Sequence, residues 1–238
     1  MQDFSKPYID FAAEKLGVVF NDIELLMTAF THRSYLNEHK KTGKEHNERL
    51  EFLGDAVLEL VVTEYLYTNH SEPEGILTNW RSSLVRTESI SAAANRFDFE
   101  PLLRLSRGER RGTERARMQI LANSYEAVVG ALYLDQGYEA AKHFIQESLI
   151  PTFHTILETG SWMDPKSHLQ EMSQNVEGQT PVYRVLSEEG PDHEKVFTIG
   201  VFIGNELRGQ GTGPSKQAGQ QQAAEAALKH YANGSQAA

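Results

Sequence analysis

The stretch His46-Asn47-Glu48-Arg49-Leu50-Glu51-Phe52-Leu53-Gly54-Asp55-Ala56-Val57-Leu58 organises this chain. Three acidic residues sit inside an apolar helical pattern, at spacings of three and four. At about 100° per residue, Glu48, Glu51 and Asp55 fall along one stripe. Leu50, Leu53, Val57 and Leu60 mark a neighbouring stripe that faces a core. Carboxylates beside a core are costly unless something neutralises them, most simply a cation.

Working outward, the pattern predicts a central helix from about Asn47 to Tyr67. Before it, an opening helix is expected over Phe4 to Gly17, then a short one capped by Asn21 or Asp22 and running through Phe30. Asn37 to Glu45 is polar and reads as a loop. After the central helix, one helix is expected from near Gly75 through Leu84 and Ala94 towards Phe97. Pro101 and Ser106 to Gly112 break the pattern. Helices then follow over Thr113 to Leu134 and over Glu139 to Glu158, the latter with a kink at Pro151.

The character changes around Gly160 to Pro165. A helix over Lys166 to Asn175 precedes three β stretches, Pro181 to Leu186, Val196 to Ile203 and Glu206 to Gly211, with Gly204-Asn205 as a tight turn. A last helix is expected over Ser215 to Tyr231. The fold class is therefore an all-α domain followed by a small α+β domain of order α-β-β-β-α. The expected boundaries are 1–158 for the first domain, 159–163 for a linker, 164–233 for the second domain and 234–238 for a disordered tail.

Composition narrows the classes. The chain has 238 residues, 39% hydrophobic and 24% charged, as soluble globular proteins do. No run approaches 18 consecutive apolar residues, and the N-terminal residues lack the regions of a signal peptide, so no membrane partner is expected. Without cysteine, disulfides and thiolate metal sites are excluded, and any metal must be held by carboxylate, amide or imidazole groups. A cytoplasmic location is the expectation. The net charge of −10 argues, by itself, against a nucleic-acid partner.

Glu51 and Asp55 are i and i+4 on one helix; Asn123 and Glu126 are i and i+3 on another. If these helices pack antiparallel, two pairs of hard oxygen ligands face each other. Such a set suits Mg²⁺, with Mn²⁺ as a substitute, and supports hydrolysis at a phosphoryl group. The competing reading from spacing alone is a solvated charged face. Gly54 and the apolar context favour a crowded stripe. His32, His39 and His46 read as structural or surface residues, and Trp80 and Trp162 as packing. Gly209 to Gly213 lacks the spacing of a nucleotide-binding loop, and no organic cofactor is expected.

The run Asn47 to Leu58 resembles the signature of the ribonuclease III family. Glu74-Gly75-Ile76-Leu77-Thr78, Arg81 to Val85 and Leu121 to Asp135 agree with it in the family's order. The C-terminal part is similar to a double-stranded-RNA-binding domain in Asp164 to Glu171, in Gly190-Pro191-Asp192-His193 and in Gly209 to Lys216. The resemblance implies a homodimeric endonuclease that hydrolyses double-stranded RNA with Mg²⁺, leaving 5′-phosphate and 3′-hydroxyl ends with short 3′ overhangs. The substrates it implies are ribosomal RNA precursors and other structured transcripts.

By that resemblance, Glu51 and Glu126 bind metal and Asn123 does so directly or through water. Asp55 positions or deprotonates the attacking water, so Asp55 and Glu126 are the catalytic pair. Glu48 and Glu74 are secondary acidic candidates. Phe52 is the dimer contact. In the second domain, Ser167, Gln170, Glu171 and Gln174, with Pro191 and His193, are expected at the minor groove, and Lys216 at a phosphate.

Two departures stand out. The family usually carries Asp where this chain has Asn123, an amide that adds no charge. The last helix usually opens on paired lysines, whereas here Lys216 is followed by Gln217, Ala218 and Gly219. From Asp164 onward there are nine Asp/Glu and six Lys/Arg, a net charge of −3. A shallow dependence of RNA binding on salt is expected, with Arg104, Arg107, Arg110, Arg111, Arg115 and Arg117 in the first domain read either as a compensating basic cluster or as a solvated charged loop. The rival reading is a double-stranded-RNA-binding protein whose nuclease centre is weakened by Asn123.

Overall fold

The computed structural model describes residues 4–39, 45–191 and 194–234. The chain forms two compact units, Met1–Glu158 and Thr159–Ala238. The first is helical: α1 (Lys6–Phe11, continued by a π-helical turn over Ala12–Leu16), α2 (Ile23–Ala29), α3 (Arg33–Glu38), α4 (Glu48–Asn69), α5 (Glu74–Leu84), α6 (Thr87–Arg96), α7 (Glu114–Gln136), α8 (Tyr138–Ser148) and α9 (Thr152–Thr159). Gly17 ends the opening segment in the left-handed region, at φ +68°, which glycine reaches without steric cost.

Helices α4 and α7 form the centre of this unit. Leu58, Val61 and Val62 of α4 and Ala127, Val128 and Val129 of α7 are fully buried or nearly so. Phe30 meets Phe11 and Phe99 edge-on at 5.5 and 4.9 Å, closing one end of the core. At the other side, Asp135 near the end of α7 accepts the backbone N–H groups of Asn21 and Asp22, both at 2.8 Å. Asp22 is the residue that caps α2, its carboxylate accepting from the Glu24 amide at 3.0 Å.

Three expectations are corrected. The single helix expected from Gly75 to Phe97 is two, α5 and α6. Arg86 adopts an extended conformation (ψ 153°) between them, and Ser89 Oγ donates to the Ser83 carbonyl that the break exposes. The helix expected over Glu139 to Glu158 also divides, into α8 and α9, because Pro151 has no N–H to continue the ladder. The additional helix α3 is a single short element started by His32, whose Nδ1 accepts the Ser34 amide. It takes in Asn37 and Glu38 from the expected loop, of which 40–44 lie outside the described residues, as do 235–238 of the expected tail.

The second unit comprises α10 (Pro165–Glu177), strands β1 (Val182–Glu189), β2 (Val196–Ile203) and β3 (Glu206–Gly213), and α11 (Lys216–Gly234). The strands form one antiparallel sheet in the order β1-β2-β3. β1 runs three residues further than its apolar pattern suggests, because a register shift between Val185 and Ser187 lets Glu188 and Glu189 still pair with β2. Leu169, Ile199, Val201, Ala223 and Ala227 make the core between sheet and helices. Gly209, Gly211 and Gly213 lie directly against α11; a Cβ on Gly213 would stand 2.8 Å from that of Ala218. These glycines therefore serve helix–sheet packing. Among the described residues, no helix is long and apolar enough to cross a membrane.

Candidate active site

Glycine determines how close α4 and α7 come. A Cβ on Gly54 would fall onto the backbone carbonyl of Glu126 and 2.9 Å from the Gly130 nitrogen, and a Cβ on Gly130 would run into the Leu50 carbonyl. The pairing of Leu50 with Gly130, and of Gly54 with Glu126, means that the helices run antiparallel. Backbone-to-backbone approach puts the flanking side chains on facing helices within reach of one another.

The side chains so gathered are Glu51 and Asp55 from α4, and Asn123 and Glu126 from α7. Glu126 is half-buried, and its carboxyl is pushed up to about 8, first by burial and then by the charges of Asp55 and Glu51. Glu51 is raised by burial and by Glu48 and Asp55, and is partly relieved by a hydrogen bond that the Asn123 amide donates to it. The Asn123 oxygen accepts from Gln119 Nε2 at 2.7 Å. Among the described residues, no Lys or Arg pairs with Glu51, Asp55 or Glu126. A cluster of carboxylates at a core edge without a cation is electrostatically incomplete.

The all-oxygen donor set and the lack of a basic partner fit a small divalent cation. Among the described residues, no three acidic or histidine side chains converge as a finished ligand set. Glu51 and Asp55 stand on α4 and Glu126 on the facing α7.

Of the two secondary candidates, Glu48 lies close enough to raise Glu51, and Glu74 is on another helix. Glu48 pairs with Arg33 at 3.0 Å and approaches His46 at 3.8 Å. Glu74 opens α5 and lines a recess of about 510 Å³ with Thr63, Tyr67 and Arg81. Phe52 points out of α4, 82% exposed, beside a groove of about 890 Å³ that includes Leu25, Leu53 and Leu134. Trp80 is buried, 5.2 Å from the rings of both His70 and Phe153, so it serves packing.

In the second unit, Ser167, Gln170, Glu171 and Gln174 line one shallow face of α10, as helical spacing requires. Asp164 caps that helix, accepting from the Lys166 and Ser167 amides at 3.1 Å. Pro191 is exposed at the end of the turn after β1; His193 lies outside the described residues. Lys216 opens α11 and pairs with Glu188 at 3.2 Å. Of the arginine cluster, Arg104 stacks over Tyr35, Arg110 donates to the Leu103 carbonyl and Arg117 pairs with Glu100.

Sequence reasoning singled out Gly54 but missed its counterpart Gly130, and missed Gln119. A glycine inside the apolar run of α7 was the available signal for the first. An amide one turn before Asn123 was the signal for the second.

The first unit is thus a helical domain with a carboxylate cluster between two closely packed helices, and the second is an α-β-β-β-α domain. Residues 22–153 match the ribonuclease-III-like family, and residues 165–231 match the double-stranded RNA binding motif. The chain is 44% identical over 220 residues to ribonuclease 3 of Enterococcus faecalis, covering 91% of this chain and 94% of that protein. It is 44% identical over 224 residues to ribonuclease 3 of Oceanobacillus iheyensis, covering 92% and 96%. The nuclease domain of ribonuclease III from Campylobacter jejuni is a structural neighbour, with a TM-score of 0.53 and 33% identity, covering 64% of this chain and 97% of that one. The chain belongs to the ribonuclease III family and is an endoribonuclease.

Proposed function

We propose that the protein hydrolyses double-stranded RNA with Mg²⁺, leaving 5′-phosphate and 3′-hydroxyl ends with short 3′ overhangs. The observation that carries this reading is the carboxylate cluster without a basic partner, held by the Gly54–Gly130 contact in a chain that also has a duplex-RNA-binding domain. Glu51 and Glu126 would hold the metal, with Asn123 in contact directly or through water. A bound divalent cation supplies stabilisation for charge developing on the phosphoryl oxygens and makes water more acidic.

The chain's own residues do the rest. Asp55 orients a water and takes its proton as the water oxygen bonds to phosphorus. The bond from phosphorus to the 3′ oxygen breaks, that oxygen leaves as a hydroxyl once protonated, and the phosphate stays on the 5′ side. No Ser, Cys or His nucleophile is required, because water attacks directly. Glu48, held by Arg33, and Glu74, at the start of α5, take secondary acidic roles.

Two copies would place one site on each strand. The support is the exposed Phe52 beside a groove lined by leucines and by charged residues such as Glu24 and Arg49, an arrangement that a second copy would cover. A further structure of the Campylobacter jejuni nuclease domain, at 36% identity and a TM-score of 0.52, is described as flexible in a region involved in dimer formation. Ser167, Gln170, Glu171, Gln174, Pro191 and His193 would face the minor groove, and Lys216 a phosphate. Processing of ribosomal RNA precursors and other structured transcripts in the cytoplasm is the corresponding role.

A second reading rests on Asn123. Its amide is turned towards Glu51 and contributes no negative charge, so the chain would bind duplex RNA with a weakened nuclease centre. One comparison separates the two: duplex RNA incubated with Mg²⁺ and then Mn²⁺, using this chain and Asn123→Asp. Cleavage by the unmodified chain is the expected result. Cleavage by the Asp form alone would favour the second reading.

A further inference from the structure

The sheet of the C-terminal unit ends β1 on Ser187-Glu188-Glu189, and α11 begins on Lys216. These two ends meet. Glu188 Oε1 lies 3.2 Å from Lys216 Nζ, and Glu188 Oε2 lies 3.8 Å from Lys195 Nζ. The Lys216 ammonium also sits 5.5 Å from the centre of the Phe197 ring, which fixes the direction in which it reaches. Ser215 caps the helix beneath it, accepting the Ala218 amide at 3.2 Å.

Several other cations of this unit, Lys195 beside the same Glu188 among them, have partners of their own. Arg208 is held between Glu177 and Glu206, both at 3.0 Å. Lys166 donates to Gln220, and Arg184 stacks on Phe202. Lys216, like Lys166 in α10, stands in the first turn of a helix, where amide donors and the helix dipole add to its pull on an anion. In the protein alone, the anion there is a carboxylate from its own β1.

We propose that Glu188 is an internal counterion which Lys216 must leave in order to hold an RNA phosphate. Glu188 thereby sets the duplex affinity of this domain and its response to salt. The inference rests on the reading that this domain binds duplex RNA with Lys216 at a phosphate. Lys216 and Glu188 are 57% and 37% exposed, so their pair is weak enough to break on binding. It is also screened by salt. The hindrance is largest at low ionic strength, which flattens the salt dependence that phosphate contacts would otherwise produce.

The test is equilibrium binding of the full chain, without divalent cation, to an RNA duplex longer than about 16 base pairs. It compares the wild type with Glu188→Gln, Glu189→Gln, Lys216→Gln and the Glu188→Gln/Lys216→Gln double variant over a range of salt. Glu189, whose side chain accepts from Ser187 Oγ at 3.4 Å, controls for the simple loss of a negative charge. Glu188→Gln is expected to tighten binding about two- to fivefold at low salt, the range of an exposed pair. The gain should shrink at high salt, steepen the salt slope, exceed that of Glu189→Gln and disappear when Lys216 is Gln. No tightening, or equal tightening in the Lys216→Gln background, overturns the proposal while leaving RNA binding intact. Failure of the wild type to bind duplex at any salt overturns the RNA-binding reading and this inference with it.

Discussion

Gly54 of α4 and Gly130 of α7 face each other backbone to backbone, and the Leu50 and Glu126 carbonyls occupy the space that a Cβ on either would need. That contact sets the distance between the Glu51/Asp55 pair and the Asn123/Glu126 pair. It also makes the site sensitive to a single methyl group. Because the obstacles are backbone atoms, which cannot turn aside as a side chain can, Gly54→Ala must push the helices apart. A loss of about 3 kcal/mol is expected for Gly54→Ala and for Gly130→Ala, read by denaturant unfolding. Wild-type stability in either variant would show that the helices are not held this closely.

Removing the charge of Glu126 takes away a candidate ligand without enlarging or emptying the site. Glu126→Gln is expected to lower duplex cleavage by about a thousandfold or more, with RNA affinity unchanged. Turnover comparable to wild type would remove Glu126 from the chemistry.

A cation that completes the carboxylate cluster binds the folded state and not the unfolded one. Adding Mg²⁺ to chelator-treated protein should raise its melting temperature, by about 2.7 kcal/mol of stability at a hundred times the dissociation constant. The increment should be lost in Glu126→Gln. Equal increments in both proteins would place the cation elsewhere.

Phe52 is exposed on the helix that carries half of the site. If a second copy covers it, Phe52→Ala should shift the protein from dimer to monomer in sedimentation equilibrium while its helical content is retained. A wild type that sediments as a monomer, or a Phe52→Ala dimer of unchanged strength, would contradict the dimer contact.

Glu64 ties α4 to α8 by accepting from Tyr138 Oη and, at 3.0 Å, from Lys142 Nζ. The Tyr138 hydrogen bond, then that of Lys142, holds its carboxyl below the ordinary value of 4.5. A carboxyl lowered on folding contributes stability that is fully present above pH 4.5 and is lost as pH falls through the lowered value. Glu64→Gln should therefore melt below wild type at pH 7, with the difference closing towards pH 3. A difference independent of pH would mean that charge is not what Glu64 supplies.

Much of this protein is legible in residue order. The periodicity around Glu48 to Leu58 marks a helix with an acidic and an apolar stripe, and the change near Gly160 marks a second unit. Helical spacing alone puts Ser167, Gln170, Glu171 and Gln174 on one face. The breaks between α5 and α6 and between α8 and α9 were less visible. Apolar periodicity continues across both, and the Ser89 hydroxyl that closes on the Ser83 carbonyl and the missing N–H of Pro151 distinguish a break from a bend.

What tertiary structure alone decided is which distant groups meet. Sequence presents Glu51 and Asp55 as a pair and Asn123 and Glu126 as another, but not their separation. That depends on two glycines far apart in the chain whose missing side chains let backbone touch backbone. The pairing of Lys216 with Glu188 is likewise set by the sheet register and the start of α11. Local pattern dictates elements because their hydrogen bonds and faces repeat within a few residues. A site depends on distances between elements, and those are set by packing.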